Sequence, residues 1–204
     1  MTSAEDLWNA VHHSWAVLYM NMLNDYDWFV KLDADSFIFA NNFKAFVRDL
    51  DPARPYYTGH ITYHKSPDLI ALGATIAISR GTLAAIGPIL PATPHNETKC
   101  VSKLAWSEDW QFYKCLREKQ VHKPYLAFDA FGRDRFFIRP ITTELSAYRD
   151  FTWLWQQKPS WVGDTLRCCS ARPVAMHYLK VSHGLAWYFY WIRHFMQLMQ
   201  VDPL

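Results

Sequence analysis

Two aspartates, Asp33 and Asp35, stand one residue apart directly behind the run Trp28-Phe29-Val30-Lys31-Leu32. The run is rich in strand-forming residues, so the pair sits where a strand ends. Two hard oxygen donors at such an edge suit a divalent cation of the magnesium or manganese kind, which could bridge to a diphosphate. An Asp-x-Asp is also an ordinary polar turn, so the pair needs partners elsewhere in the chain. His177 offers an imidazole nitrogen from the short apolar stretch Val174–Leu179, or else is a core histidine. Glu108-Asp109 reads most simply as two acids in the first turn of a helix, placed against its dipole.

The elements that must position these residues follow from periodicity and capping. Ser3 caps a first helix over about 4–24, with Trp8, Val11, Trp15, Leu18 and Met22 on one face. A buried strand over Trp28–Leu32 delivers the acidic pair. Asn42 begins a helix over Phe43–Leu50, stopped by Asp51-Pro52. Pro55–Gly59 reads as a short strand and turn, Ala74–Ile78 as a buried strand, and Arg80–Ile86 as a short helix. Ser107 caps a helix over Glu108–Lys119, and Lys123–Phe128 is a further strand. The stretch 132–172 is irregular and carries Trp153, Trp155 and Trp161. Val174–Tyr178 is a last short strand, and Ser182 caps a last helix. Strands alternating with helices predict an α/β domain. No internal repeat and no Gly-rich phosphate loop is visible.

Composition narrows the class. At 204 residues the chain fits one domain, 1–204, with a proper core. Half of it is hydrophobic and only 20% charged, which excludes a disordered or solvating chain. The net charge of +2 comes without a basic run, which argues against nucleic acid as the main partner. Aromatics reach 17%, with 10 Trp; most fill core, but such rings also stack on the apolar faces of sugars. Four cysteines, Cys100, Cys115, Cys168 and Cys169, suit two disulfides, and without a Cys-x-x-Cys a structural zinc site is not expected. Asn96-Glu97-Thr98, a glycosylation sequon in a Pro-rich stretch, tilts with them toward an oxidising, secretory compartment. The chain opens without an apolar signal or anchor, and the aromatic run Leu185–Met199 is short for a bilayer span. It reads as an amphipathic helix packed on the domain.

These features occur together in one known pattern. Asp27–Asp35 resembles the "DWFLKADDD" segment of core 1 β1,3-galactosyltransferases and their inverting β1,3-glycosyltransferase relatives, including the fringe enzymes. Leu7-Trp8 is similar to the family's "LW" helix, and Ala71–Arg80 to its "SGGAGYVLSR" segment. Ser107-Glu108-Asp109 with Cys115-Leu116 resembles "EDLALGRCM". Cys168-Cys169-Ser170 followed by Met176-His177-Tyr178 resembles "GCCSD…FHYV", the match most specific to the core 1 branch. The resemblance runs from about residue 4 to the last helix.

It implies a GT-A-like glycosyltransferase fold, a Rossmann-like mixed sheet, in a Golgi type II membrane enzyme. The implied reaction moves galactose from UDP-galactose to O-linked GalNAc on a glycoprotein or peptide, with inversion. By position, Asp35 would bind Mn2+ with Asp33 in support and His177 as a second protein ligand. Asp109 would be the general base. Gly73 and Ala74 would lie against the nucleotide sugar, and Glu108, Trp153, Trp155 and Trp161 near the acceptor. Cys100 would pair with Cys115, and Cys168 with Cys169. A homodimer is a candidate assembly. Ala34 stands where the family has its central acid, and Leu72 and Thr75 replace two of its glycines. The family carries an anchor, a stem and its first strands ahead of the "LW" helix, whereas this chain opens at that helix. A partial domain is therefore expected, with membrane attachment only through an anchor absent from this chain. Two alternatives share the pattern: a non-catalytic member acting as a folding partner or lectin-like domain, and a fringe-like β1,3-transferase with another UDP-sugar.

Overall fold

The computed structural model describes residues 4–63, 69–90, 100, 107–138 and 168–178. In chain order the elements are α1 (Ala4–Met22), β1 (Trp28–Leu32), β2 (Phe37–Ile38), α2 (Ala40–Val47), β3 (Tyr57–Thr62), β4 (Ile70–Ser79) and α3 (Arg80–Ile86). A 3-10 turn, Gly87–Ile89, follows, then α4 (Glu108–Glu118), β5 (Phe136–Phe137) and β6 (Ala175–Met176). The protein is thus mixed α/β. β1, β4 and β3 form an antiparallel sheet in that order. A smaller mixed sheet runs β2-β6-β5, antiparallel at its first pair and parallel at its second.

The larger sheet separates two cores, and the two-residue period of a strand sorts side chains between them. Phe29, Ile76 and Ile78 face a core shared with α1, α3 and α4. Trp28, Val30 and Ala77 face the other, closed by α2 and the smaller sheet through Phe43, Val47, Phe136 and Ala175. Along α1, Trp8 and Trp15 are buried, with Val11 and Leu18 packed beside them. Trp15 stacks on Phe112 of α4, with ring centroids 5.1 Å apart. Burying a large apolar side chain contributes about 1.5–3 kcal/mol, so this aromatic seam fixes α1 and α4 against the sheet.

Several expectations need correction. α1 ends at Met22, and that residue is exposed; Leu23 packs on the core instead. Among the described residues β1 is an edge strand, not a buried one, and of its five residues only Phe29 is buried. α2 starts at Ala40, ahead of Asn42, because the Asn42 amide donates to the Pro173 carbonyl (2.8 Å) rather than capping a helix. Ser107 stands at the N-cap position of α4 but makes no capping bond to the backbone.

Lys123–Phe128 is not a strand. Pro124 lacks a ladder donor, and the segment is tied to β3 by Tyr125 N–H donating to the Tyr57 carbonyl (2.7 Å) and by the Thr58 hydroxyl donating to the Tyr125 carbonyl (2.9 Å). β4 extends back to Ile70, and β3 continues through Gly59 to Thr62. Gly59 is therefore not a turn residue. A Cβ there would meet the Thr75 carbonyl oxygen at 2.6 Å, so its small size lets β4 close over β3.

That closure happens at a bulge. Gly59 pairs with Ile76, but the next residue, His60, pairs with Leu72, leaving Gly73, Ala74 and Thr75 of β4 opposite no residue of β3. Gly73 takes φ 96°, which L side chains rarely adopt. Bulges bend a strand and re-aim its groups, and this one frees the Gly73 N–H for a partner outside the ladder.

Candidate metal centre

The acidic pair lies in the turn that ends β1, where Ser36 N–H donates to the Asp33 carbonyl (3.0 Å). His177 reaches it from far along the chain. The stretch that carries it is strapped to residues 134–137: Ser170 N–H donates to the Asp134 carbonyl (2.8 Å), Val174 N–H to Arg135 (2.7 Å), and His177 N–H to Phe137 (3.0 Å). Asp134 is itself buried and pairs with His60 of β3 (2.9 Å), which ties the smaller sheet to the larger one. Disulfides join Cys168 to Cys169 at the head of this stretch and Cys100 to Cys115 on α4.

His177 Nε2 ends 3.0 Å from Asp35 Oδ1 and 3.6 Å from Asp33 Oδ2. The three potential ligand atoms lie within 4.8 Å of one another, close enough to share one ion. The aspartates remain partly open to solvent while the histidine is buried. Its ring stacks on Tyr178, centroids 3.8 Å apart, and Tyr178 itself has φ 58°.

The donor set fits a small divalent cation. Two carboxylates converging on one point repel unless positive charge lies between them, and one imidazole beside two carboxylates favours manganese-like ions over calcium. Nε2 can serve as a ligand only with the ring proton on Nδ1, and Nδ1 is buried without a hydrogen-bond partner. The Ser36 hydroxyl beside the pair is likewise buried and unpartnered.

A residue that the sequence did not single out links this cluster to the second acidic pair. Lys31 lies on β1 with the same facing as Phe29, toward α4. Its Nζ donates to Asp33 Oδ1 (2.5 Å) and to Glu108 Oε1 (2.7 Å). Burial would pull the ammonium pKa down; Glu108 first, and Asp33 with it, outweigh that and leave it above the usual lysine value. A lysine inside an otherwise apolar strand run was the available signal, because burying it costs several kcal/mol unless carboxylates meet it.

Asp109 is held by three donors. Gly73 N–H donates to Oδ2 (2.9 Å), and Trp110 N–H (2.7 Å) and the Ser107 hydroxyl donate to Oδ1. A carboxylate offers about four acceptor positions, so room remains for one further hydroxyl. The bulge thus brings Gly73, named as a sugar-contact residue, directly onto the candidate base. Ala74 lies in the same bulge. Glu108 has one oxygen engaged by Lys31. Trp153, Trp155, Trp161 and Asn96 lie outside the described residues, as do the expected last helix and its Ser182 cap. Among the described residues no helix is long and apolar enough to cross a membrane. No protein-family model matches the chain.

Proposed function

We propose that this chain is a metal-dependent, inverting UDP-sugar glycosyltransferase of the core 1 β1,3-galactosyltransferase type, with a GT-A-like fold. The observation that carries the proposal is the convergence of Asp33 and Asp35, from one turn, and His177, from a distant segment, onto one small volume. A polar turn behind a strand does not require a distant histidine nitrogen at 3.0 Å. The arrangement of Asp109 supports it further: a carboxylate fixed by donors at both oxygens, on the helix whose first residue is bonded to Lys31.

In this reading Asp35, Asp33 and His177 hold Mn2+, which supplies Lewis-acid stabilisation of the departing nucleotide diphosphate. Asp109 takes the proton from the 3-hydroxyl of GalNAc as that oxygen bonds to the anomeric carbon of galactose. The bond to UDP breaks in the same displacement, inverting the centre. Ser107 and Gly73 keep the Asp109 carboxylate in one orientation, so little reorganisation is needed when the hydroxyl arrives. The same reading implies a Golgi lumenal protein, with which paired cysteines agree.

The test is galactose transfer from UDP-galactose to a GalNAc-peptide with and without manganese, comparing the protein with Asp35→Ala. Loss of even a residue supporting a metal ligand costs about 10–100-fold in affinity or activity. Asp35→Ala is therefore expected to lower the rate by at least about 100-fold, and equal rates would remove the metal argument. UDP binding that is indifferent to manganese would leave the non-catalytic folding-partner or lectin-like reading. Transfer from another UDP-sugar alone would favour the fringe-like one.

A further inference from the structure

We infer that Lys31 is a positioning residue that couples the cation site to the first turn of α4, so that occupancy of the one is felt at the other. The inference rests on the cation reading proposed above. Asp33 divides its two oxygens: Oδ1 accepts from Lys31, and Oδ2 faces His177 and the shared position of the cluster. Lys31 thereby decides which oxygen a cation meets.

The same ammonium binds Glu108, the residue adjoining Asp109, and Asp109 is in turn held by Gly73 of the β4 bulge. The contacts form one unbroken path from His177 and Asp33 through Lys31 to Glu108, the neighbour of Asp109. Lys31 and Glu108 side chains are each only 14% exposed, so solvent screens the link weakly. A cation drawn to Asp33 competes with Lys31 for that carboxylate and shifts the ammonium toward Glu108. Conversely, removing the charge of Glu108 leaves Lys31 wholly to Asp33, where it opposes the cation. Linkage makes the two effects reciprocal.

A double-mutant cycle reads this directly, with manganese alone as the probe and free Mn2+ followed by electron paramagnetic resonance. Glu108→Gln is expected to weaken Mn2+ binding by about fivefold or more, the lower end for linked sites. In the Lys31→Met background the same change should cost less than about twofold, within the additivity of uncoupled positions. Lys31→Arg, which keeps the charge and can face both carboxylates, should preserve the coupling. Should the Met variant fail to fold, Lys31→Gln takes its place, removing the charge but keeping an amide donor.

A structural role alone would lower thermal stability without making the Glu108→Gln effect depend on residue 31. Equal losses of affinity in both backgrounds, or no loss in either, would overturn the inference while leaving the cation site intact. Absence of Mn2+ binding by the unsubstituted protein would overturn the cation reading and this inference together.

Discussion

Asp109 shows how a side chain common in helix first turns can be set up for chemistry. A first-turn acid placed only against the helix dipole is solvated and free to rotate. This one is bonded at both oxygens, by Trp110 N–H and the Ser107 hydroxyl on one and by Gly73 N–H on the other. Asp109→Asn nearly preserves the shape while removing the proton acceptor. Its kcat for galactose transfer should fall by about 100- to 10,000-fold, the usual contribution of a positioned base. Mn2+ affinity should stay unchanged, because Asp109 is not among the cluster's ligands. A parallel fall in metal affinity would show that Asp109 acts on the cation site, directly or through the first turn of α4. Asp33 and Asp35 were legible as candidates from residue type and spacing and His177 from the resemblance, whereas Lys31 passed as one more position in a strand run.

The β4 bulge does for the site what a regular strand could not. In an unbroken ladder every second amide of this stretch of β4 would be paired with β3. Here three residues of β4 lie opposite the step from Gly59 to His60, and one released amide turns to Asp109. Two glycines make this possible for different reasons. Gly59 admits the Thr75 carbonyl close to its Cα, and Gly73 adopts φ 96°. Gly73→Ala forces a Cβ into that conformation, at a cost of about 1–2 kcal/mol. The midpoint of thermal unfolding should drop accordingly, and transfer activity should fall more steeply because Asp109 loses its fixed donor. Unaltered activity at lowered stability would separate the bulge from the chemistry. Strand and helix types could be read from sequence over most of this region, but the bulge could not. Its origin is a contact between two strands, which one strand's periodicity does not encode.

Across the molecule, the site is assembled from segments that touch only because both cores form. Trp15 against Phe112 seats α4 on one face of the larger sheet, and Phe43, Val47, Phe136 and Ala175 seat the smaller sheet on the other. The Cys100–Cys115 bridge, 15 residues apart, anchors α4 further. In the chain-entropy account a closed loop of about that length contributes roughly 3 kcal/mol. Replacing both cysteines by serine should lower the unfolding free energy by about that much in chemical denaturation. Mn2+ binding under native conditions should be largely kept, since neither cysteine touches the cluster. Loss of metal binding in a still-folded variant would mean that the bridge also shapes the cation site.

Local chemistry was enough to find the acidic pair behind β1, the boundaries of β1 and α3, and the α/β character of the chain, because strand propensity, helical spacing and hydrogen-bonding turn residues act over a few positions. The edge position of β1 among the described residues, the early start of α2 and the loss of a strand at Lys123–Phe128 were settled by partners distant in sequence: β4, the Pro173 carbonyl and Tyr57. The same holds at the site. Two aspartates one residue apart are a turn until burial of the sheet faces brings His177 to 3.0 Å from Asp35. Glu108 is a first-turn acid set against a helix dipole until Lys31 crosses from β1 to meet it. Packing, which places charges from remote segments where water cannot screen them well, is what turns those separate acids into one connected centre.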